Sequence, residues 1–212
     1  MTSILIALAL SKPHLGLLAM LGLSYYEAAR CGLRTMFILW ARIGVACLVL
    51  CIPLFIAYPN WIPDMLAAMG KNPPWAYPSI FVFFRKTLYG WGTLLWILTT
   101  LLVVAFNFRL WKKLPMKTAL YWSLALAPLT TPYVGSWDFV VLLPLLIFTY
   151  ANADWKRKMF IWVAYVIAWG IMARIQMMPG SLNYYFWWVP LWFIGAAALV
   201  TDWKKIPDQR LL

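Results

Sequence analysis

Acidic side chains and histidine are scarce in this chain, with 6 Asp and Glu against 18 Lys and Arg, and a single His. One histidine leaves too few soft ligands for a metal cluster, and no cofactor motif is present, so neither metal nor cofactor is expected. The three cysteines do not make a disulfide framework. Cys47 and Cys51 lie four apart on one face of an apolar stretch and Cys31 lies in a flanking loop, which reads as packing by small hydrophobes. Charged residues of either sign make up 11% of the chain, against about 25% in a soluble domain, which excludes an ordinary globular protein. Internal repeats and low-complexity linkers are lacking, so residues 1–212 read as a single integral membrane domain. Met1 to Leu10 has neither a basic n-region nor a small-residue cleavage site, which argues against a secretory signal, and no lipidation motif stands out.

What is present is apolar surface: 65% of the residues are hydrophobic and the mean hydropathy is +0.78. A formal charge of +12 raises the question of nucleic acid. The basic residues instead sit in short clusters between apolar runs, as expected of cytoplasmic loops facing anionic lipid head groups, and no nucleic-acid-binding domain surrounds them.

Four apolar runs have the length and flanks of membrane spans: Thr35 to Tyr58, Gly90 to Phe108, Met159 to Ala173 and Tyr184 to Val200. Basic segments at Arg30 to Arg34, Arg109 to Lys117, Lys156 to Lys158 and Lys204 to Arg210 share the cytoplasmic side only if Thr118 to Tyr150 forms a hairpin turning at Thr131 to Asp138. The expectation is a multi-pass cell-membrane protein with cytoplasmic basic loops and C-terminus. Its architecture is an all-α, polytopic transmembrane helix bundle with two short interrupted or re-entrant helical hairpins. An arm of 13 residues, Thr118 to Thr130, spans only ~20 Å of a ~30 Å hydrocarbon layer. The turn is therefore expected below the surface, where irregular backbone is tolerated if it is buried in protein or lines a wet cavity.

Two polar breaks interrupt the apolar pattern, Ser11-Lys12-Pro13-His14 and Thr130 to Asp138. Each carries an ionisable group into apolar surroundings, where such groups are rare and functional. Pro13 and Pro132 predict helix boundaries there, whereas Pro53, Pro128, Pro144 and Pro190 are read as kinks. The Pro- and Trp-rich stretch from Pro59 to Pro78 contains a short interfacial helix, Trp61 to Gly70, that would roof an outward-facing pocket. Other tryptophans at segment ends, Trp111, Trp155, Trp187, Trp188 and Trp203, are read as an interfacial belt.

On the outer side the topology gathers Lys12, His14, Lys71, Arg85, Lys86, Arg174 and Asp138. Clustered cations beside a lipid-accessible pocket suit a phosphate carried on a lipid tail. Lys12 is read as a point charge to it, Arg85 as a fork, His14 as a donor or proton shuttle, and Lys86 as a fourth phosphate-binding residue. The pocket is assigned to Thr131, Pro132, Tyr133, Asp138 and Arg174. Plainer alternatives stand beside these readings. Arg85 and Lys86 are equally suited to snorkel to head groups, Arg174 to end its span, and Asp138 to cap the helix after it rather than to catalyse. Arg42 is read as snorkelling or pairing within the bundle, and Glu27 and Asp154 as balancing nearby basic residues.

The apolar-Lys-Pro-His-apolar break, the Trp- and Pro-rich external stretch, the Phe-Arg-Lys segment and the Thr-Pro-Tyr-Val-Gly-Ser-Trp-Asp break, taken in order, resemble the C-terminal half of glycosyltransferase family 87. The likeness runs roughly from Ile4 to Val200. It implies a GT-C-like fold and transfer of a mannose-like sugar from a polyprenyl-phosphate donor on the extracytoplasmic face, with Lys12 and His14 near the donor phosphate. The early loop that carries the catalytic acid in such enzymes has no counterpart here. A second polypeptide bearing the missing half, or a larger membrane complex, is therefore expected as a partner beside the lipid-linked sugar donor and membrane lipids. The alternative is a noncatalytic transmembrane subunit. Lys12→Ala is expected to abolish donor binding and to leave folding nearly intact.

Overall fold

The computed structural model describes residues 12–71 and 77–203. The N-terminal arm, the segment 72–76 inside the Pro-rich stretch, the side chain of Lys71 and the basic segment Lys204 to Arg210 lie outside the described residues. Every regular element among the described residues is helical. In order they are α1 (Pro13–Cys31), α2 (Leu33–Ala57), α3 (Trp61–Lys71), α4 (Ile80–Leu88), α5 (Gly92–Lys113), α6 (Met116–Thr130), α7 (Leu143–Asn152), α8 (Trp155–Gln176) and α9 (Val189–Val200). Short 3-10 turns cover Tyr89–Trp91, Ser136–Leu142 and Asn183–Phe186.

Three stretches are long and apolar enough to cross a membrane: Leu33–Ala57, Ile80–Lys113 and Trp155–Gln176. The second is not one straight rod. Phe81 and Trp96 would stand roughly 22 Å apart along a continuous helix, yet their rings lie 5.1 Å centre to centre. The chain reverses at Tyr89, which takes a φ of 45°, a left-handed conformation that costs a bulky residue energy. Gly92 permits the reversal, because a Cβ there would lie 2.5 Å from the Phe84 carbonyl oxygen. α4 is thus folded back against α5, and α5 alone has the length of a span.

The expected fourth span is corrected to a short helix. α9 begins only at Val189; its 12 residues reach ~18 Å, well short of ~30 Å. Pro190 sits in its first turn, where a missing N–H costs nothing. Pro144 likewise begins α7, so both prolines start helices rather than kink them, while Pro53 and Pro128 lie inside α2 and α6.

The centre of the bundle is where α1, α5 and α6 meet. Asn107 and Ser123 are fully buried. The Asn107 amide donates to the Leu18 carbonyl at 3.0 Å and its oxygen accepts from Ser123 Oγ at 2.7 Å. Trp111 Nε1 donates to the same hydroxyl at 2.8 Å. Gly22 makes room for that indole, since a Cβ on it would come within 1.9 Å of Trp111 Nε1. Trp111 is 2% exposed, which removes it from the expected interfacial belt. In an apolar interior these polar atoms fix helix register, because slipping any one leaves others unpaired.

That register locates the ends. With Asn107 level with Ser123 across the α5–α6 hairpin, Thr130 falls beside Thr100, so α5 runs about eight residues, roughly 12 Å, beyond the end of α6. At the opposite end the basic residues closing α5 and opening α8 lie near the ends of α1 and α9. Tyr26 packs edge-on to Trp111 at 5.9 Å, Lys112 lies over Tyr25, Trp203 shares a groove with Arg109 and Lys113, and Arg157 Nη1 donates to the Val200 carbonyl at 3.2 Å.

Candidate functional site

The two polar breaks meet. α6 stops at Thr130 and Thr131 is extended at φ −104°, ψ 136°, as expected of a residue preceding proline. Thr131 is buried and its hydroxyl accepts the Tyr133 N–H at 3.3 Å. Ser79, 1% exposed, donates to the Pro132 carbonyl at 3.0 Å and accepts the Val82 N–H at 3.2 Å, so one hydroxyl caps α4 and ties it to the break. Tyr77 packs at right angles on Tyr133, 5.3 Å between centres.

Beyond Val134, which is fully buried, the chain turns into the 3-10 segment whose third residue is Asp138. Asp138 Oδ2 accepts the Gly135 N–H at 2.9 Å and its own N–H returns to the Gly135 carbonyl at 2.9 Å. The cap differs from the one expected: Asp138 does not precede a helix starting at Phe139 but lies inside the 3-10 segment that starts at Ser136, and it holds the N–H of the residue before that segment. The same carboxylate faces the start of α1, and Lys12 Nζ donates to its Oδ1. His14 Nε2 lies 3.8 Å from Oδ2, buried from solvent and without a hydrogen bond among the described residues.

Burial of the pair is unequal: the Asp138 side chain is 6% exposed and that of Lys12 is 48% exposed. The carboxylate is desolvated and held from two sides, by an ammonium and by a backbone N–H, whereas the lysine stays half in solvent and spends one of its three donors on Asp138. Trp137 stands over this exit, 69% exposed, with its ring centre 6.0 Å from Lys12 Nζ. Its ring leaves no room for a side chain at Gly135, where a Cβ would lie 2.4 Å from the indole. Sequence reasoning quoted Trp137 in the break without assigning it a role; its place directly before the acidic residue was the available signal.

Of the expected site residues, the structure brings Lys12, His14 and Asp138 together, with Thr131, Pro132 and Tyr133 in the loop leading to Asp138. Arg85 and Lys86 lie elsewhere. They close α4, about 10 Å along that helix from Ser79, and both are exposed. Arg85 lies over the Phe81 ring at 5.6 Å and Lys86 over Tyr184 at 3.8 Å. Arg174, in the last turn of α8, is exposed and makes no hydrogen bond or ion pair with the described residues. Asp64, in α3, accepts from the Tyr58 hydroxyl. No group of three or more His, Cys, Asp or Glu side chains is gathered to hold a metal among the described residues.

At the far end, Asp154 caps α8 by accepting the Arg157 N–H at 2.9 Å, and Arg157 lies between Asp154 at 3.5 Å and Asp202 at 3.7 Å. These groups line a cleft of about 270 Å³ with Thr118, Thr149 and Thr201. Their hydrogen bonds are largely internal, Thr149 to Leu145 and Thr201 to Ala197, so the cleft reads as a polar seam between helix ends.

Compared with known proteins, the chain matches no family model, no curated protein and no solved structure at a significant level.

Proposed function

We propose that this chain is the donor-binding portion of a membrane glycosyltransferase of the GT-C type. In this reading it takes a polyprenyl-phosphate sugar, mannose-like by the family resemblance, on the extracytoplasmic face. One observation carries the reading: two polar breaks 126 residues apart close into a single cluster in which a half-exposed ammonium is fixed by a buried carboxylate. A lysine held at one of its three donors and half in solvent is suited to a phosphate oxygen. Asp138 is then a positioning residue. Its two oxygens are occupied by Lys12 and the Gly135 N–H, which leaves it poorly placed to act as a general base.

The proposed orientation has α2, α5 and α8 crossing the bilayer with the basic ends of α5 and α8 on the cytoplasmic side. The breaks then lie roughly 12 Å inward from the outer end of α5, as a re-entrant hairpin requires. Arg85 and Lys86, set over aromatic rings at the end of α4, act in this reading on head groups at the entrance. Acceptor activation in this reading falls to a carboxylate outside the cluster, since both Asp138 oxygens are engaged.

A specific observation favours the noncatalytic alternative. The Lys12–Asp138 pair satisfies both charges internally and ties α1 to the turn after α6, which is what a strut in a scaffolding subunit would do. Donor binding separates the two. Native mass spectrometry of the chain in lipid nanodiscs with a polyprenyl-phosphate sugar is expected to show a bound donor that is lost both in Lys12→Ala and in the charge-neutral double variant Lys12→Met/Asp138→Asn. Donor binding that is absent from the native chain, or unchanged in the double variant, assigns the cluster to architecture alone.

A further inference from the structure

α2 is almost bare. Only 6% of its apolar window is buried within the molecule, and Ile43, 2% exposed, marks its one fully inward position. The opposite face carries Ile38, Arg42, Val45, Val49, Ile52 and Ile56, whose spacing alternates four and three residues. The five apolar members are between 41% and 76% exposed. A four-three alternation of β-branched residues is the a/d seam by which one helix packs into another along its length. Placed at one a-type position of this seam, Arg42 is exposed and makes no hydrogen bond or ion pair with the described residues, so the bundle does not supply the partner expected for it.

Depth makes the guanidinium costly where it stands. Arg42 is the tenth residue of α2, and a 25-residue helix centred on a ~30 Å hydrocarbon layer puts its Cα roughly 10 Å below the boundary. Its side chain leans toward the basic end and recovers part of that depth. Intramembrane arginines ordinarily face a partner charge or a wet cavity; this one faces away from its own bundle.

We infer that the outward face of α2 is an interface for a second transmembrane helix that carries an apolar heptad seam and a carboxylate level with Arg42. A second copy of this chain is a poor occupant. Parallel pairing sets Arg42 against Arg42, and no span among the described residues contains an Asp or Glu to meet it. A single charged a-type position in an otherwise apolar seam fixes register and selects the partner. The inference stands on α2 alone and is independent of donor binding.

The test uses the full chain in proteoliposomes at neutral pH, labelled with an energy-transfer donor, and acceptor-labelled leucine-rich transmembrane peptides bearing Asp, Asn or Leu at the depth of Arg42. The Asp peptide is expected to associate roughly tenfold more tightly than the Leu peptide, the worth of one good interhelical polar contact in a bilayer. Arg42→Lys should keep that preference and Arg42→Gln should erase it. Equal association of the Asp and Leu peptides with the native chain, or a preference that survives Arg42→Gln, overturns the interface.

Discussion

Lys12 Nζ donates to Asp138 Oδ1 across 126 residues of sequence, joining the first residue before α1 to the turn that follows α6. The contact decides how each partner responds to substitution. Asp138 is the buried member, so removing the cation leaves a desolvated carboxylate with the Gly135 N–H as its one hydrogen bond and His14 Nε2 3.8 Å away. Lys12→Ala should therefore lower stability by about 1–3 kcal/mol, toward the lower end because the ammonium is already half in water. This revises the expectation, natural from sequence, that Lys12 is dispensable for folding. Lys12→Met/Asp138→Asn, which removes both charges, should recover most of the loss in thermal unfolding followed by tryptophan fluorescence.

The capping and charge roles of Asp138 separate by isostere. Asn retains an oxygen for the Gly135 N–H and gives up the charge, while Leu gives up both. Asp138→Leu should cost about 2–4 kcal/mol and Asp138→Asn about half of that. Equal losses in the two variants, measured by the same unfolding assay, would show that the cap contributes nothing.

Gly22 and Gly44 both lie inside helices and differ only in what faces them. A Cβ at Gly22 meets the Trp111 indole at 1.9 Å, and one at Gly44 meets nothing within 4 Å. Gly22→Ala should destabilise by about 1–3 kcal/mol or more through overpacking, whereas Gly44→Ala should be neutral or stabilise slightly through helix propensity. Ser123→Ala should fall with Gly22→Ala, since it strands both the Trp111 N–H and the Asn107 oxygen. Unfolding temperatures of the three variants check the order.

Tyr58, just past the end of α2, donates to Asp64 in α3. That hydrogen bond, followed by lesser desolvation and charge repulsion from Asp64, raises its phenol above the usual 10.0. A raised acid favours its protonated form, so the tie between α2 and α3 is intact below the unfolded value and is lost as pH rises through the folded one. Alkaline titration of phenolate absorbance should contain a late component that Tyr58→Phe removes and Asp64→Asn shifts down to the ordinary range. An unchanged midpoint in Asp64→Asn would contradict the tie.

The breaks were legible in the sequence because proline and charge inside apolar runs are loud signals: Lys12, His14, Thr131 and Asp138 are visible as exceptions. That Asp138 would serve as cap and counter-ion together was not legible, since nothing local links it to residue 12. The core was equally silent. Asn107, Ser123 and Gly22 are ordinary residues in helical runs, and only their register across α1, α5 and α6 gives them a role. The span from Tyr184 was overread because hydropathy does not register the 3-10 turn and the proline start that postpone α9 to Val189. Arg85 and Lys86 were grouped with Lys12 by side of the membrane alone, and the fold-back of α4 at Tyr89 carries them about two helical turns from the break.

The central claim is that the Lys12–Asp138 cluster receives a lipid-linked phosphate. Native mass spectrometry of the chain in nanodiscs with a polyprenyl-phosphate sugar, beside Lys12→Met/Asp138→Asn, tests it with folding held nearly constant. The account predicts a donor adduct on the native chain that the double variant lacks. An adduct of equal occupancy on both, or on neither, would contradict it.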